Sequence, residues 1–134
     1  MKLFDTIVLV SAMNPANRHH KAGMSYLTTL QSAEETYVAT STLTEFDLVM
    51  RNSEYTESEI AETWTALEPL LGNMVAPTTP SAHLTATGMR VKGLTYFDSL
   101  IVAHAKETKA VVITRDAEIA KHVKTEWGPI QGTS

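Results

Sequence analysis

A chain of 134 residues is enough for one domain with a real core and too short for two. Hydrophobic residues make up 43% and charged residues 19%, ordinary for a globular chain, and a formal net charge of -4 argues against a broad basic face for nucleic acid. The absence of cysteine excludes a disulfide framework, a thiolate metal site and a cysteine nucleophile; with no apolar run near the ~20 residues that span a bilayer and no signal-peptide pattern in Met1-Lys-Leu-Phe-Asp5, a soluble cytoplasmic protein is expected.

Lys2-Leu-Phe4 reads as a short strand ending at Asp5. Thr6 to Met13 is ambiguous. Ile7-Val-Leu-Val10 has strand propensity and nothing breaks the run before Asn14-Pro15, so propensity alone gives one long strand. Asn17 is placed to cap a helix through about Leu30, with Ala22, Tyr26, Leu27 and Leu30 on one face. Glu34-Glu35 is a solvated turn and Tyr37-Val-Ala39 a short strand. Thr40-Ser-Thr42 opens the next helix, to about Asn52, and Thr42-Leu-Thr-Glu45 fits a capping box. Thr56-Glu-Ser-Glu59 fits a second one, opening a helix to about Leu71 that Gly72-Asn73 ends. Met74-Val-Ala76 is a strand candidate, and Ser81 to about Val91 a helix ended by Gly93.

Phe97 to Asp116 then reads as helix, tight turn and buried strand. Leu100 to Ala105 give a broad apolar helical face from Asp98 to about Glu107, and Ala110-Val-Val-Ile113 is a short β-branched run suited to an inside strand. Ten helical residues rise roughly 15 Å, and the strand returns a similar distance, so Asp116 arrives near Asp98. Asp116 is also placed to cap a short helix through Val123, and Lys124 to Gln131 is a tail with edge-strand character. Strand and helix alternate throughout, which predicts an α/β domain with a small, mostly parallel sheet covered by helices.

Four acids fall at strand ends or helix starts: Asp5, Glu45, Asp98 and Asp116. In a parallel sheet all four lie at its carboxyl edge, where open α/β sheets keep their ligands. Each alone has a structural explanation, since Glu45 can serve Thr42 in a capping box and Asp98 and Asp116 are good N-caps. Together they repel one another unless a cation is shared, and Mg²⁺ or Mn²⁺ suits an all-oxygen site. Asp47 lies on the other side of its helix from Glu45 and reads as the i,i+4 partner of Arg51. His19, His20, His83, His104 and His122 show no paired metal spacing, and Trp64 and Tyr26 follow core spacing.

Four ordered pieces now resemble the PIN-domain nucleases, the small VapC-type members in particular: Leu3-Phe-Asp5-Thr6, Ser41-Thr-Leu-Thr-Glu45-Phe, Tyr96-Phe-Asp98-Ser-Leu-Ile-Val-Ala103 and Ile113-Thr-Arg-Asp116. The resemblance implies a three-layer α/β/α fold, with Asp5, Glu45, Asp98 and Asp116 as catalytic metal-site acids for Mg²⁺ or Mn²⁺. It implies Thr6 and Thr114 as supporting hydroxyls within the acid cluster, and it makes Thr6 to Met13 a short helix. The implied activity is endonucleolytic cleavage of RNA by the toxin of a toxin–antitoxin pair, held in check by a small antitoxin protein. Arg115, and Arg90 and Lys92 in the loop leading to Asp98, are the basic residues nearest the acid edge and are expected to contact phosphates. A symmetric homodimer is expected on helical surface from the Thr56–Leu71 or Ser81–Val91 region. Two other classes compete: a non-catalytic protein-binding module whose acids are caps, and a phosphoacceptor or phosphatase domain using Asp5 as nucleophile, for which Thr6 and Lys121 fit only loosely.

Overall fold

The computed structural model describes residues 1–32 and 35–128. Strand β1 is Lys2–Phe4, ending where Asp5 leaves the sheet. Thr6–Met13 is helix α1, against propensity and as the family resemblance implied. The Asp5 side chain accepts from the Thr6 N–H and starts the helix, and burial of Val8, Leu9 and Ala12 outweighs the β-branched preference. Helix α2, His20–Thr28, begins two residues later than Asn17 suggested, because the Asn17 side chain accepts from the His19 N–H in a turn, 2.8 Å, and caps nothing. A 3₁₀ turn, Thr29–Gln31, extends it toward the expected end.

Strand β2 is Thr36–Ala39 and passes directly into α3, Thr40–Asn52. The capping box expected at Thr42 and Glu45 does not form. The N-cap is Ala39, so Thr42 already lies inside the first turn and donates instead to the Phe4 carbonyl at 3.3 Å. Thr56 and Glu59 do form theirs, at the start of α4, Glu57–Leu71. Strand β3, Val75–Ala76, precedes α5, Pro80–Val91, capped by Thr79, one residue ahead of the expected start. Helix α6, Tyr96–Thr108, has Thr95 at its N-cap position without a side-chain bond to the first turn's backbone, and β4 is Val111–Ile113. Asp116 caps α7, Ala117–Ala120, which stops short of Val123. The edge-strand character of the tail is realised in β5, Thr125–Glu126, while residues 129–131 lie outside the described residues.

The five strands form one parallel sheet in the order β3-β2-β1-β4-β5. The chain runs outward from β1 through β2 to β3, then returns to the other side of β1 for β4 and β5. Because crossovers keep one hand, that reversal sends α1 to α4 to one face and α5 to α7 to the other. The core divides accordingly. Phe4, Val38 and Ile113 point into a cluster with Val8, Leu27, Phe46 and Leu67, while Leu3 and Val112 point into one with Ile101, Val102 and Ile119. The expected three-layer α/β/α architecture is thereby met, with every pairing between described strands parallel. The layers are tight at α1 and α2, where a Cβ at Gly23 would meet Ser11 Oγ at 2.2 Å and the Ala12 backbone nitrogen at 2.6 Å. No helix among the described residues is long and apolar enough to cross a membrane.

Candidate active site at the carboxyl edge

The reversal of strand order falls between β1 and β4, and a crevice at such a point is where parallel α/β sheets bind ligands. Asp5 stands at the end of β1 and is 9% exposed. Its Oδ1 accepts from the Thr6 N–H at 2.8 Å, and its Oδ2 accepts from the Thr114 hydroxyl, just past β4, at 2.6 Å. The Thr114 hydroxyl in turn accepts from the Asp116 N–H at 3.0 Å. One buried threonine therefore ties the two sides of the switch point together. Thr6 does the same for the next element, donating its hydroxyl to Glu45 Oε1 on α3.

Glu45 is one and a half turns into α3, far from any capping duty, and faces the crevice. Asp98 lies in the first turn of α6, inside the helix and not at its cap as the bare sequence allowed. Of the four acids only Asp116 is a plain cap, accepting from the Glu118 N–H at 2.8 Å. The structural explanation therefore accounts for Asp116, for one oxygen of Asp5 and, through its first-turn place beside Thr95, in part for Asp98, but it leaves Glu45 without one.

Electrostatics bind the four into one group. Burial pushes the Asp98 carboxyl up to about 6, with further upward pressure from the charges of Asp116 and Asp5, against a hydrogen bond with Thr95. Burial also raises Glu45, opposed by the Thr6 hydrogen bond and reinforced by Asp5, Asp98 and Asp116. Asp5 is raised by burial, partly offset by Thr114 and Thr6. Among the described residues no lysine or arginine pairs with any of the four. Neither, among those residues, do three acidic or histidine side chains stand in an arrangement that could hold a metal ion. Asp98 and Asp116 instead stand close enough for Asp116 to raise the cost of charging Asp98. The donor set itself suits a hard divalent cation, being carboxylate and hydroxyl oxygen throughout with its negative charge unmatched.

The basic residues fall out differently from one another. Arg115 is exposed and lies against His19 Nε2 at 2.5 Å, not against Glu118, which pairs with Lys121 at 2.9 Å. Arg18 Nε approaches the same His19 nitrogen at 3.1 Å, so three basic groups meet beside the acids. Arg90 stands in the last turn of α5 and not in a loop, with its guanidinium donating to Ser99 Oγ at 2.9 Å and lying 5.1 Å from the Tyr96 ring centroid. Lys92 is the exposed C-cap of α5. Asp47 pairs with Arg51 at 2.8 Å, as expected, and also accepts from the Trp64 indole at 2.9 Å. His104 is buried in α6 away from the acids, its Nδ1 without a hydrogen-bond partner among the described residues. Sequence reasoning missed Thr95, although Thr95-Tyr-Phe-Asp98 has the threonine-to-acid spacing of a helix start. It also missed Ser99, for which only adjacency to Asp98 was available.

Fold and site define a three-layer α/β/α domain with four carboxylates at its switch point. The PIN domain model matches residues 2–124, and the chain belongs to that family, one of nucleases. No curated protein matches it. Among solved structures it is similar to VapC20 of Mycobacterium tuberculosis, described as a sarcin-ricin loop cleaving toxin, with TM-score 0.74, 13% identity, and 96% of this chain and 100% of that one covered. It is similar to a chain of VapBC2 from Rickettsia felis, described as bound to a promoter DNA fragment, with TM-score 0.71, 18% identity, and 95% and 98% covered. FitAcB from Neisseria gonorrhoeae gives TM-score 0.69, 22% identity, and 93% and 96% covered. At these identities the likeness is one of fold.

Proposed function

We propose that this protein is a Mg²⁺- or Mn²⁺-dependent endoribonuclease, the toxin of a toxin–antitoxin pair acting in the cytoplasm. One observation carries the reading: four carboxylates from four separate elements meet at the switch point, burial and the neighbouring carboxylates raise the proton affinity of Asp5, Glu45 and Asp98, and none of the four has a cationic partner among the described residues. In this reading Asp5, Glu45, Asp98 and Asp116 hold the ion. A bound divalent ion supplies positive charge for the developing oxyanion and lowers the pKa of an attacking water. Thr114 fixes Asp5 against Asp116, and Thr6 fixes Glu45, so the acids are positioned before substrate arrives. Arg115, with Arg18 and His19 beside it, and Lys92 contact phosphates flanking the cut without reading sequence. Arg90 is already engaged by Ser99 and Tyr96 and serves to steady the start of α6.

The toxin reading draws on the toxins and toxin complexes that share the fold, and implies a small antitoxin partner. A homodimer fits the exposed apolar face of α5, where Leu84 is 73% and Val91 89% exposed two turns apart. Of the two regions expected from sequence, Ser81–Val91 is the one that offers such a face. A sedimentation mass near 14.7 kDa at all micromolar concentrations would exclude the dimer. The non-catalytic alternative needs all four acids to be caps, and Glu45 and Asp98 are not. The deciding assay is cleavage of a structured RNA in Mg²⁺, Mn²⁺ and chelator. Wild type should cut only with metal, and Asp98→Asn and Asp116→Asn should not cut. Full cleavage by both variants would remove the proposal.

A further inference from the structure

A second concavity lies beside the acid crevice, with a volume of about 190 Å³. One wall is the start of α3, from Thr40 to Thr44, which directly precedes Glu45; the other is the first turn of α6, where Phe97 directly precedes Asp98. Its floor is apolar, made by Leu100 and Phe97, and its rim carries hydroxyls. At about 30 Å³ per water it holds roughly six waters, the bulk of one heteroaromatic ring system and not of a whole nucleotide.

The rim is built in advance. The Thr78 N–H donates to Thr40 Oγ1 at 2.9 Å, and the Ser41 N–H donates to Thr78 Oγ1 at 3.2 Å, clipping the loop after β3 to the start of α3. That clip uses the backbone donors and leaves the Ser41 hydroxyl and the His83 ring without hydrogen-bond partners among the described residues. Tyr96 forms the mouth. Its ring is 53% exposed, yet it is held by the Arg90 guanidinium and by Phe97, centroid to centroid 5.2 Å at 89°. A large exposed aromatic pinned in one orientation is a stacking platform, since it loses little freedom when a flat ring lands on it.

The lining holds no lysine or arginine, and Glu45 and Asp98 stand next door, so the cavity is unsuited to a phosphate. A neutral flat ring with donors and acceptors on its edge meets every feature. The geometry points to a base-binding subsite: one RNA base, unstacked from its neighbours, stacks on Tyr96 over the Leu100 floor and is read at its edge by Ser41 and His83. This deepens the ribonuclease reading and rests on it for the substrate class. The cut then falls within one or two nucleotides of the captured base, because the subsite and the acids share the first two turns of α3 and the first turn of α6.

Two measurements test this and separate it from the nuclease proposal. In the first, the four ribonucleoside 5′-monophosphates and ribose 5-phosphate are titrated in Ca²⁺. Wild type should favour one base by about tenfold or more, the scale of one stacking contact with edge readout, and ribose 5-phosphate should bind weakest. Tyr96→Ala should bring the four bases to within about twofold of one another, and Ser41→Ala should weaken the favoured one by a few-fold. In the second, the ends of cleaved RNA are sequenced. Wild type should show one fixed base beside the cut, a bias that Tyr96→Ala and Ser41→Ala lose and that Thr65→Ala, on the far surface of α4, keeps. Base discrimination without cleavage would uphold the subsite and overturn the nuclease. Cleavage with no base bias, or equal binding of all four nucleotides to wild type, would overturn the subsite and leave the nuclease standing.

Discussion

Replacing Asp98 by asparagine should stabilise the metal-free protein at neutral and alkaline pH while destroying its activity. The reason is the position of Asp98 in the first turn of α6, partly buried and facing Asp116 and Asp5. Its carboxyl titrates near 6 in the fold and at the ordinary 3.8 when exposed. The sign follows directly. A folded pKa above the unfolded one means that the fold binds the proton more tightly, so stability is full below 3.8 and is lost as pH rises through about 6. The span of about 2.2 corresponds to about 3 kcal/mol as an upper bound, at about 1.36 kcal/mol per tenfold change. Asp98 is only partly shielded from solvent, so half of that, about 1.5 kcal/mol, is the expected penalty. Asparagine carries no charge, keeps the shape, and so removes the repulsion from Asp116 and Asp5. In a domain of this size the gain is about 4–6 °C in melting temperature. The assay is thermal unfolding of wild type and Asp98→Asn in chelator between pH 4 and pH 8.5. The variant should melt higher at pH 8, and the gap should close by pH 4. A variant less stable than wild type at pH 8, or a gap independent of pH, would refute the reasoning.

Further expectations follow from the same contacts. Thr114→Val removes the donor to Asp5 and the acceptor for the Asp116 N–H; by titration, Mn²⁺ affinity should fall about 10- to 100-fold, as for outer partners of metal ligands generally. Because the raised acids must ionise before they can hold an ion, apparent Mn²⁺ affinity should weaken as pH falls through about 6, and a flat profile from pH 5 to 8 would contradict the site. Gly23→Ala places a methyl group into Ser11 and the backbone of Ala12; it should cost about 2–3 kcal/mol in denaturant unfolding, at the high end for overpacking.

What could be read from the chain tracked how local its cause was. Thr56 and Glu59 formed their box because both partners lie in one turn and α4 has no other claim on them. The four acids were legible as a set because alternation of strand and helix brings strand ends to one edge whatever the side chains do. Thr6–Met13 was not, since strand propensity in Ile7-Val-Leu-Val10 yields to burial from three neighbouring elements that no local window contains. Thr42 failed as a cap for a related reason: β2 runs into α3 without a loop, so the helix starts two residues before the hydroxyl that should have capped it. That failure is informative, because it frees Glu45 for the crevice. The engagement of Arg90 by Ser99 and Tyr96 depends on the packing of α5 on α6, which single-sequence spacing does not encode.

The most direct measurement is Mn²⁺ binding followed by electron paramagnetic resonance, in which free ion is counted as protein is added. Wild type should sequester one or two Mn²⁺ per chain. Asp5→Asn, Glu45→Gln, Asp98→Asn and Asp116→Asn should each weaken binding, and the fourfold variant, folded by circular dichroism, should bind none. A fourfold variant that holds Mn²⁺ as tightly as wild type would show that these carboxylates are not the metal site.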